Sequence, residues 1–398
     1  MKLVVTVMVR DEVDIIAAMV EHHLAQGVDL IIATDNGSVD GTAEVLQQYA
    51  DLGLVELHHD PLHRKQQHSV VTGMARRAFT EHGADWVVNA DADEFWAPAD
   101  KRLTLRDAFA RIPLTLNAFT VPVVNLVGAP ALRGSGVDRL VWRDLRSDEQ
   151  LQRVGIYAQP TPDAVHRGSA DVVVAQGNHF VSLESNGQPD PQVAIEVLHL
   201  PWRSWEQLER KVVNTGKAYQ ASPDLRPSKN HHGMADYRRY LGGRLRYTYL
   251  LRLPLTEELS EGQLPNGMPT GGFLPDPWLR DHLHALVDQA RRPELLAACL
   301  DADKDEPVAP AEHRTAVDVG RMLMDLERER DEAARLADEN HHKAARIAKE
   351  RDEARKQLAA RSVLPGLSRL TAPLGRRVRR SPQLRAAVRR LRALAARR

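Results

Sequence analysis

The chain has 398 residues, 54 Lys and Arg against 54 Asp and Glu, a single cysteine (Cys299), 43% hydrophobic residues and 5% aromatics. That length buries a substantial core in one large domain or two smaller ones, and one cysteine excludes a disulfide framework and a multi-cysteine metal site. The balanced charge conceals an asymmetry: from Arg355 to Arg398 there are fourteen Lys or Arg and no acidic residue, so a basic tail follows an acidic body.

Leu3 to Val9 is a near-continuous β-branched run, the pattern of a strand covered on both faces. It is too short to span a membrane, and Arg10-Asp11-Glu12 follows where a signal peptide needs a small-residue cleavage site. A cytoplasmic chain is expected. Asp11 to Gln26 reads as a helix with Ile16, Val20 and Leu24 on one face, stopped by Gly27. Val28–Ala33 reads as a second strand, Asp35 to Thr42 as a turn-rich loop, Thr42–Leu52 as a second helix and Leu54–Leu57 as a third strand. Ser69 to His82 reads as a helix and Trp86–Ala90 as a fourth strand, ending in Asp91-Ala92-Asp93-Glu94. Strict alternation predicts a doubly wound, mostly parallel α/β sheet. Ligands of such sheets bind beyond the carboxyl ends of the strands, where all three polar clusters fall.

Asp91 and Asp93 stand two residues apart beyond a buried strand and are not both comfortably ionised without a cation. A hard divalent ion that also takes diphosphate oxygens resolves this. A lone acidic pair is more often a solvated turn. Here it follows a strand and precedes Glu94-Phe95-Trp96, aromatic surface suited to a substrate cleft.

Taken together, these residues resemble the family 2 glycosyltransferases of the GT-A fold. The likeness is carried by Arg10-Asp11-Glu12, Asp35-Asn36-Gly37-Ser38-Val39-Asp40-Gly41-Thr42, the segment Ala84 to Trp96, Gln67 with Val71 to Arg76, and Leu198-His199-Leu200-Pro201-Trp202-Arg203-Ser204. It covers roughly the first 220 residues. The resemblance implies a nucleotide-sugar donor, with Asp35 on the nucleoside and Arg10, Glu12, Gln67 and Asp91 around it. Asp91, Asp93 and His199 would hold Mn²⁺ or Mg²⁺, and Glu94 would flank them. Arg203 suits the diphosphate by bidentate geometry and Lys211 as a point charge, although Lys211 also reads as an exposed position on a helix from Trp205 to Tyr219. The family inverts, which requires a carboxylate to deprotonate the acceptor. Asp171 is the first choice, ahead of Glu184, Asp190 and Glu196, because its neighbourhood is crowded with polar groups. His179 reads either as an orienting residue or as a structural histidine.

Residues 125 to 160 show no assignable pattern and read as a loop or lid. The expected organisation is a catalytic domain over residues 1–250, in which His231-His232 read as a loop rather than as metal ligands, then a helical extension over 251–315, with a helix from Asp281 to Cys299. A long helix, single or paired with a second copy as a coiled coil, follows over 316–362. Glu329-Arg330-Asp331-Glu332-Ala333 recurs within it three heptads later, at Glu350 to Ala354. The tail, 363–398, interleaves arginines with Leu and Val without aromatics. That suits an anionic membrane surface, on the cytoplasmic side, better than nucleic acid, and a disordered tail fits it equally. The expected acceptor is a glycan, a lipid-linked sugar or another surface polymer. A nucleotidyltransferase would carry a Gly-rich basic loop after the first strand, which is absent. A non-catalytic scaffold would not need Asp35, Asp91 and Asp93.

Overall fold

The computed structural model describes residues 1–62, 67–222, 232–259, 271–301 and 304–362. In chain order the first elements are β1 (Leu3–Val9), α1 (Ile16–Ala25), β2 (Leu30–Asp35), α2 (Thr42–Ala50), β3 (Val55–His59), α3 (Gln67–Thr80) and β4 (Trp86–Ala90). There follow β5 (Glu94–Pro98), α4 (Leu105–Arg111), β6 (Ala118–Val121), β7 (Val123–Val127), β8 (Trp142–Asp144), α5 (Asp148–Arg153), β9 (Asp163–Arg167) and β10 (Ile195–His199). The remainder is α6 (Trp205–Gln220), α7 (His232–Leu241), α8 (Leu245–Arg252), β11 (Phe273–Pro275), α9 (Trp278–Leu286), α10 (Pro293–Cys299) and α11 (Pro310–Ser362). Chain contacts divide the molecule into Met1–Asp325 and Leu326–Arg398.

Within the first unit, one sheet runs β3-β2-β1-β4-β9-β6, parallel through its first four strands and antiparallel at β9 and β6. Strand alternation sends Val5, Val7 and Val88 to one face with Ile16, Leu46 and Tyr49, and Val4, Ile32 and Val87 to the other with Val71, Met74 and Ala78. Helices α1 and α2 therefore cover one side and α3 the other, the doubly wound arrangement read from the sequence. A second sheet, β11-β8-β7-β10-β5, lies beyond the acidic turn.

The helix expected from Asp11 starts only at Ile16. Asp11 has φ 58, and the amides of Asp11, Glu12 and Val13 donate to Ser38 Oγ, Thr42 Oγ1 and Asp40 Oδ2, so the 38–42 loop takes the donors a helix would start from. Phe95 and Trp96 are corrected from cleft surface to core. Both are fully buried, because β5 pairs antiparallel with β10 in the interior of the molecule. Residues 125–160 are scaffold as well as loop: β7 and β8 join the second sheet, and Val137 and Leu140 enter the core. Gly128 is needed there, since a Cβ would meet the Arg139 carbonyl oxygen at 1.8 Å. Gly128→Ala is expected to cost about 1–3 kcal/mol in urea unfolding, and an unchanged midpoint would show that the strand end yields freely.

The helix expected over 281–299 is two, α9 and α10, interrupted where Pro293 restarts the chain as the first helical residue. His232 opens α7, while His231 and the 363–398 tail lie outside the described residues. The long C-terminal helix is present as α11. In the second unit every side chain from Arg328 to Ala359 is exposed, and Arg335 pairs along the surface with Glu332 and Glu339. Among the described residues no helix is long and apolar enough to cross a membrane.

Candidate active site

The carboxyl ends of β1, β2 and β4 deliver Arg10-Asp11-Glu12, Asn36 and Asp91-Ala92-Asp93 to one edge of the sheet. They frame a cleft of about 240 Å³. Helix α6 closes its far wall with Gln207, Arg210, Lys211, Asn214 and Thr215, positions whose 3–4 spacing puts them on one helical face. Ser204 caps this helix through the Gln207 amide.

Asp93 is buried at the floor. Lys211 Nζ donates to its Oδ2 at 2.7 Å, Arg203 Nη1 lies 3.5 Å away and His199 Nε2 3.6 Å away. Burial alone would raise the Asp93 carboxyl, but Lys211, His199 and Arg203 outweigh it and hold it well below the usual range. Asp91 moves the opposite way, raised by burial and then by the charge of Asp93. Its Oδ1 accepts from Gln67 Nε2 and Asn178 Nδ2, each at 3.2 Å. The two aspartates do not share charge evenly, and Lys211 is the cation that keeps one of them ionised. The sequence left that lysine closer to an exposed position. Its placement depends on a contact spanning 118 residues, which local pattern does not encode.

Arg203 has 0% of its side chain exposed. Its guanidinium bonds Glu12 and, at 2.8 Å, Asp14, which fastens the β1 end to the segment before α6. In this structure it is a buried brace, while Lys211 and Arg210 face the cleft. Burial pushes Glu12 up to about 7 against the pull of Arg203.

Asp35 is buried and turns toward its own loop, accepting from the amides of Gly37 at 3.1 Å and Ser38 at 3.2 Å. Its neighbour Asn36 lines the cleft. Glu94 accepts from the Asp91 amide at 2.9 Å, with its carboxyl raised well above normal by burial and then by the charges of Asp163 and Asp91. It braces the acidic turn through that bond. His199 Nδ1 meets Asn125 Oδ1 at 2.9 Å, leaving Nε2 toward Asp93.

The candidates for an acceptor base are scattered. Asp171 and Glu184 are exposed. Asp190 caps a short turn through the Gln192 amide, and Glu196 is clamped by Lys101 and Arg143. None of these contacts joins them to Asp91 or Asp93. A pair the sequence reading did not assemble does sit beside that turn: His179 Nδ1 and Asp163 Oδ1 are 2.8 Å apart.

Among the described residues no three His, Cys, Asp or Glu side chains form an ion cage by themselves. Asp91 and Asp93 nevertheless present two hard carboxylates to one cleft with His199 beside them. That donor set fits Mg²⁺ or Mn²⁺ once phosphate oxygens supply the remaining ligands.

Residues 4–115 match the profile of glycosyltransferase family 92, well under half of the chain. No curated protein matches it by sequence. Among solved structures, S. aureus TarS 1–349 is 14% identical over 83% of this chain and 92% of its own, with a TM-score of 0.33. The same protein in complex with UDP-GlcNAc is 13% identical over the same shares, with a TM-score of 0.32. Glucosyl-3-phosphoglycerate synthase from Mycobacterium tuberculosis is 18% identical over 42% of this chain and 56% of its own, at 0.24. Similarities of that size carry no argument about what this chain does.

Proposed function

We propose that this chain is a glycosyltransferase that draws a sugar from a nucleoside-diphosphate donor bound in the cleft between the strand ends and α6. The observation behind this reading is the facing pair of Asp91 and Asp93 with Lys211 and Arg210 across one cleft. The profile match covers the strand ends that supply the two aspartates. Lys211 and Arg210 are placed to bind the donor's diphosphate, the lysine as a mobile point charge that exchanges Asp93 for phosphate oxygen. Arg10 and Asn36 wall the nucleoside end, and Asp35 holds the loop that shapes it. Glu12, Asp14 and Arg203 hold this wall rigid, so that the charges on the cleft floor keep their positions.

A divalent ion held by Asp91, Asp93 and His199 supplies charge neutralisation on the departing diphosphate when bound. Family 2 affinity, an inverting course and a glycan, lipid-linked or other surface-polymer acceptor belong to the same reading. So do an anionic membrane partner for 363–398 and self-association through α11.

Calorimetric titration with UDP, GDP, CDP and dTDP sugars, with and without Mn²⁺, tests it. One nucleotide class is expected to bind, Mn²⁺ to strengthen it at least ~10-fold, and Asp91→Asn to remove that gain. No binding across the panel would overturn the reading.

A further inference from the structure

The glycosyl transfer proposed above needs a group that takes the acceptor's proton, and the carboxylates the sequence offers are exposed, used as caps or held in ion pairs. The structure puts a different group beside the acidic turn. After the bridge residue Val174 the chain turns through Gly177 (φ 83) and Asn178 (φ 63) and returns at Val181. Left-handed backbone at two successive residues makes this a tight reversal, and it is tied down on both sides. The Asn178 carbonyl accepts from the Ala164 amide at 3.0 Å, Asn178 Nδ2 reaches Asp91 Oδ1 at 3.2 Å, and Gln176 bonds Gln67, which itself donates to Asp91.

His179 follows on this loop. Its Nδ1 is 2.8 Å from Oδ1 of Asp163, a carboxylate buried at the start of β9 whose second oxygen has no hydrogen-bond partner. The histidine is that carboxylate's one side-chain hydrogen-bond partner among the described residues, while 36% of the imidazole side chain remains exposed. A buried acid on one ring nitrogen and solvent access to the rest is the arrangement that sets a tautomer and points Nε2 outward as an acceptor.

We propose that His179, oriented by Asp163, is the base that deprotonates the acceptor hydroxyl. This rests on the glycosyltransferase reading. In the step, the acceptor O–H bond breaks and its proton passes to Nε2. The acceptor oxygen forms a bond to the anomeric carbon from the face opposite the leaving group. The bond from that carbon to the phosphate oxygen breaks, its electron pair staying on the diphosphate beside Lys211. The proton on His179 then returns to solvent. Asp163 is a positioning residue that stabilises the imidazolium formed.

The charged and titratable groups facing the ring support this. The hydrogen bond to Asp163 raises the His179 pKa above its ordinary value against the opposing effect of burial, with the charges of Asp163 and Asp91 and the Pro162 carbonyl adding to it. Glu94 also faces Asp163. A base must be unprotonated to act, so turnover should rise with pH through a limb lying above the ordinary histidine value of about 6.5.

The experiment uses the full chain with the nucleotide sugar selected by the calorimetric panel. Water serves as the acceptor that must lose a proton, and azide as one that has none to lose. For His179→Gln, donor affinity is expected to stay within ~3-fold of wild type while hydrolysis falls by ~100-fold or more, and transfer to azide should persist. Asp163→Asn should lower hydrolysis and displace the pH limb without abolishing azide transfer. Equal loss of water and azide turnover, or hydrolysis at the wild-type rate, overturns the assignment. If His179→Gln does not fold, the wild-type pH profiles decide: a limb for water that transfer to azide lacks supports the base, and the same profile for both acceptors overturns it. A wild-type chain that binds no donor at all overturns the donor reading first and this proposal with it.

Discussion

Replacing Lys211 with methionine is expected to weaken nucleoside-diphosphate binding by about 10- to 100-fold, the worth of a hydrogen bond to a charged group. The side chain is 41% exposed at the cleft wall, so its hydrocarbon stem is easily accommodated as methionine. Asp93 also keeps His199 and Arg203 as partners, and folding stability should change little. Two charges now compete for Asp93, the lysine and any divalent ion. Lys211→Met should therefore tighten Mn²⁺ binding measured without nucleotide, in the same calorimetric series that shows weaker binding of the diphosphate. Opposite shifts for metal and nucleotide are the signature of a counter-ion. Parallel losses of both would instead show that the lysine merely supports the local structure.

Arg203→Met is expected to lower the stability of the first unit by about 3–5 kcal/mol, because it leaves buried carboxylates without their cation. Glu12, Asp14 and Asp93 all lie around this one guanidinium. Urea unfolding at several pH values gives the check, and the sign follows from protonation. Without the arginine Glu12, already raised by burial, holds its proton more tightly still in the folded protein, so the loss is largest at alkaline pH. It shrinks as the pH falls toward about 7, where Glu12 sits with the arginine in place. A loss independent of pH would mean that packing, not charge, is what Arg203 supplies. Arg203→Lys should recover only part of the stability, since one ammonium does not reproduce a fork that meets Glu12 and Asp14 together.

Both variants concern contacts that no local pattern carries. The Lys211–Asp93 contact spans 118 residues and the Arg203–Glu12 contact 191. The resemblance points to Arg203 as a diphosphate ligand, and the fold surrounds that residue with carboxylates. A charged side chain reads the same in sequence whether it faces a cleft or closes a buried network. The pairing of Asp163 with His179 is hidden from the sequence for a related reason. Asp171 was favoured by polar crowding along the chain, whereas Asp163 and His179 meet only because β9 pairs with β4 and the Gly177 loop folds back over it. Phe95 and Trp96 look like cleft aromatics until folding buries both in the core.

What this sequence determined by itself is what short-range periodicity can express. The strands Leu3–Val9 and Trp86–Ala90, the helices between them, the parallel sheet they imply and the acidic turn at its carboxyl edge all follow from which residues alternate and which follow a strand. The tertiary structure alone decided which cation answers Asp93, which arginine is sealed away and which histidine acquires a carboxylate. Those outcomes depend on distance and burial between residues far apart in the chain. A Coulomb contact is set by the few ångströms that folding leaves between two groups, not by their separation in sequence.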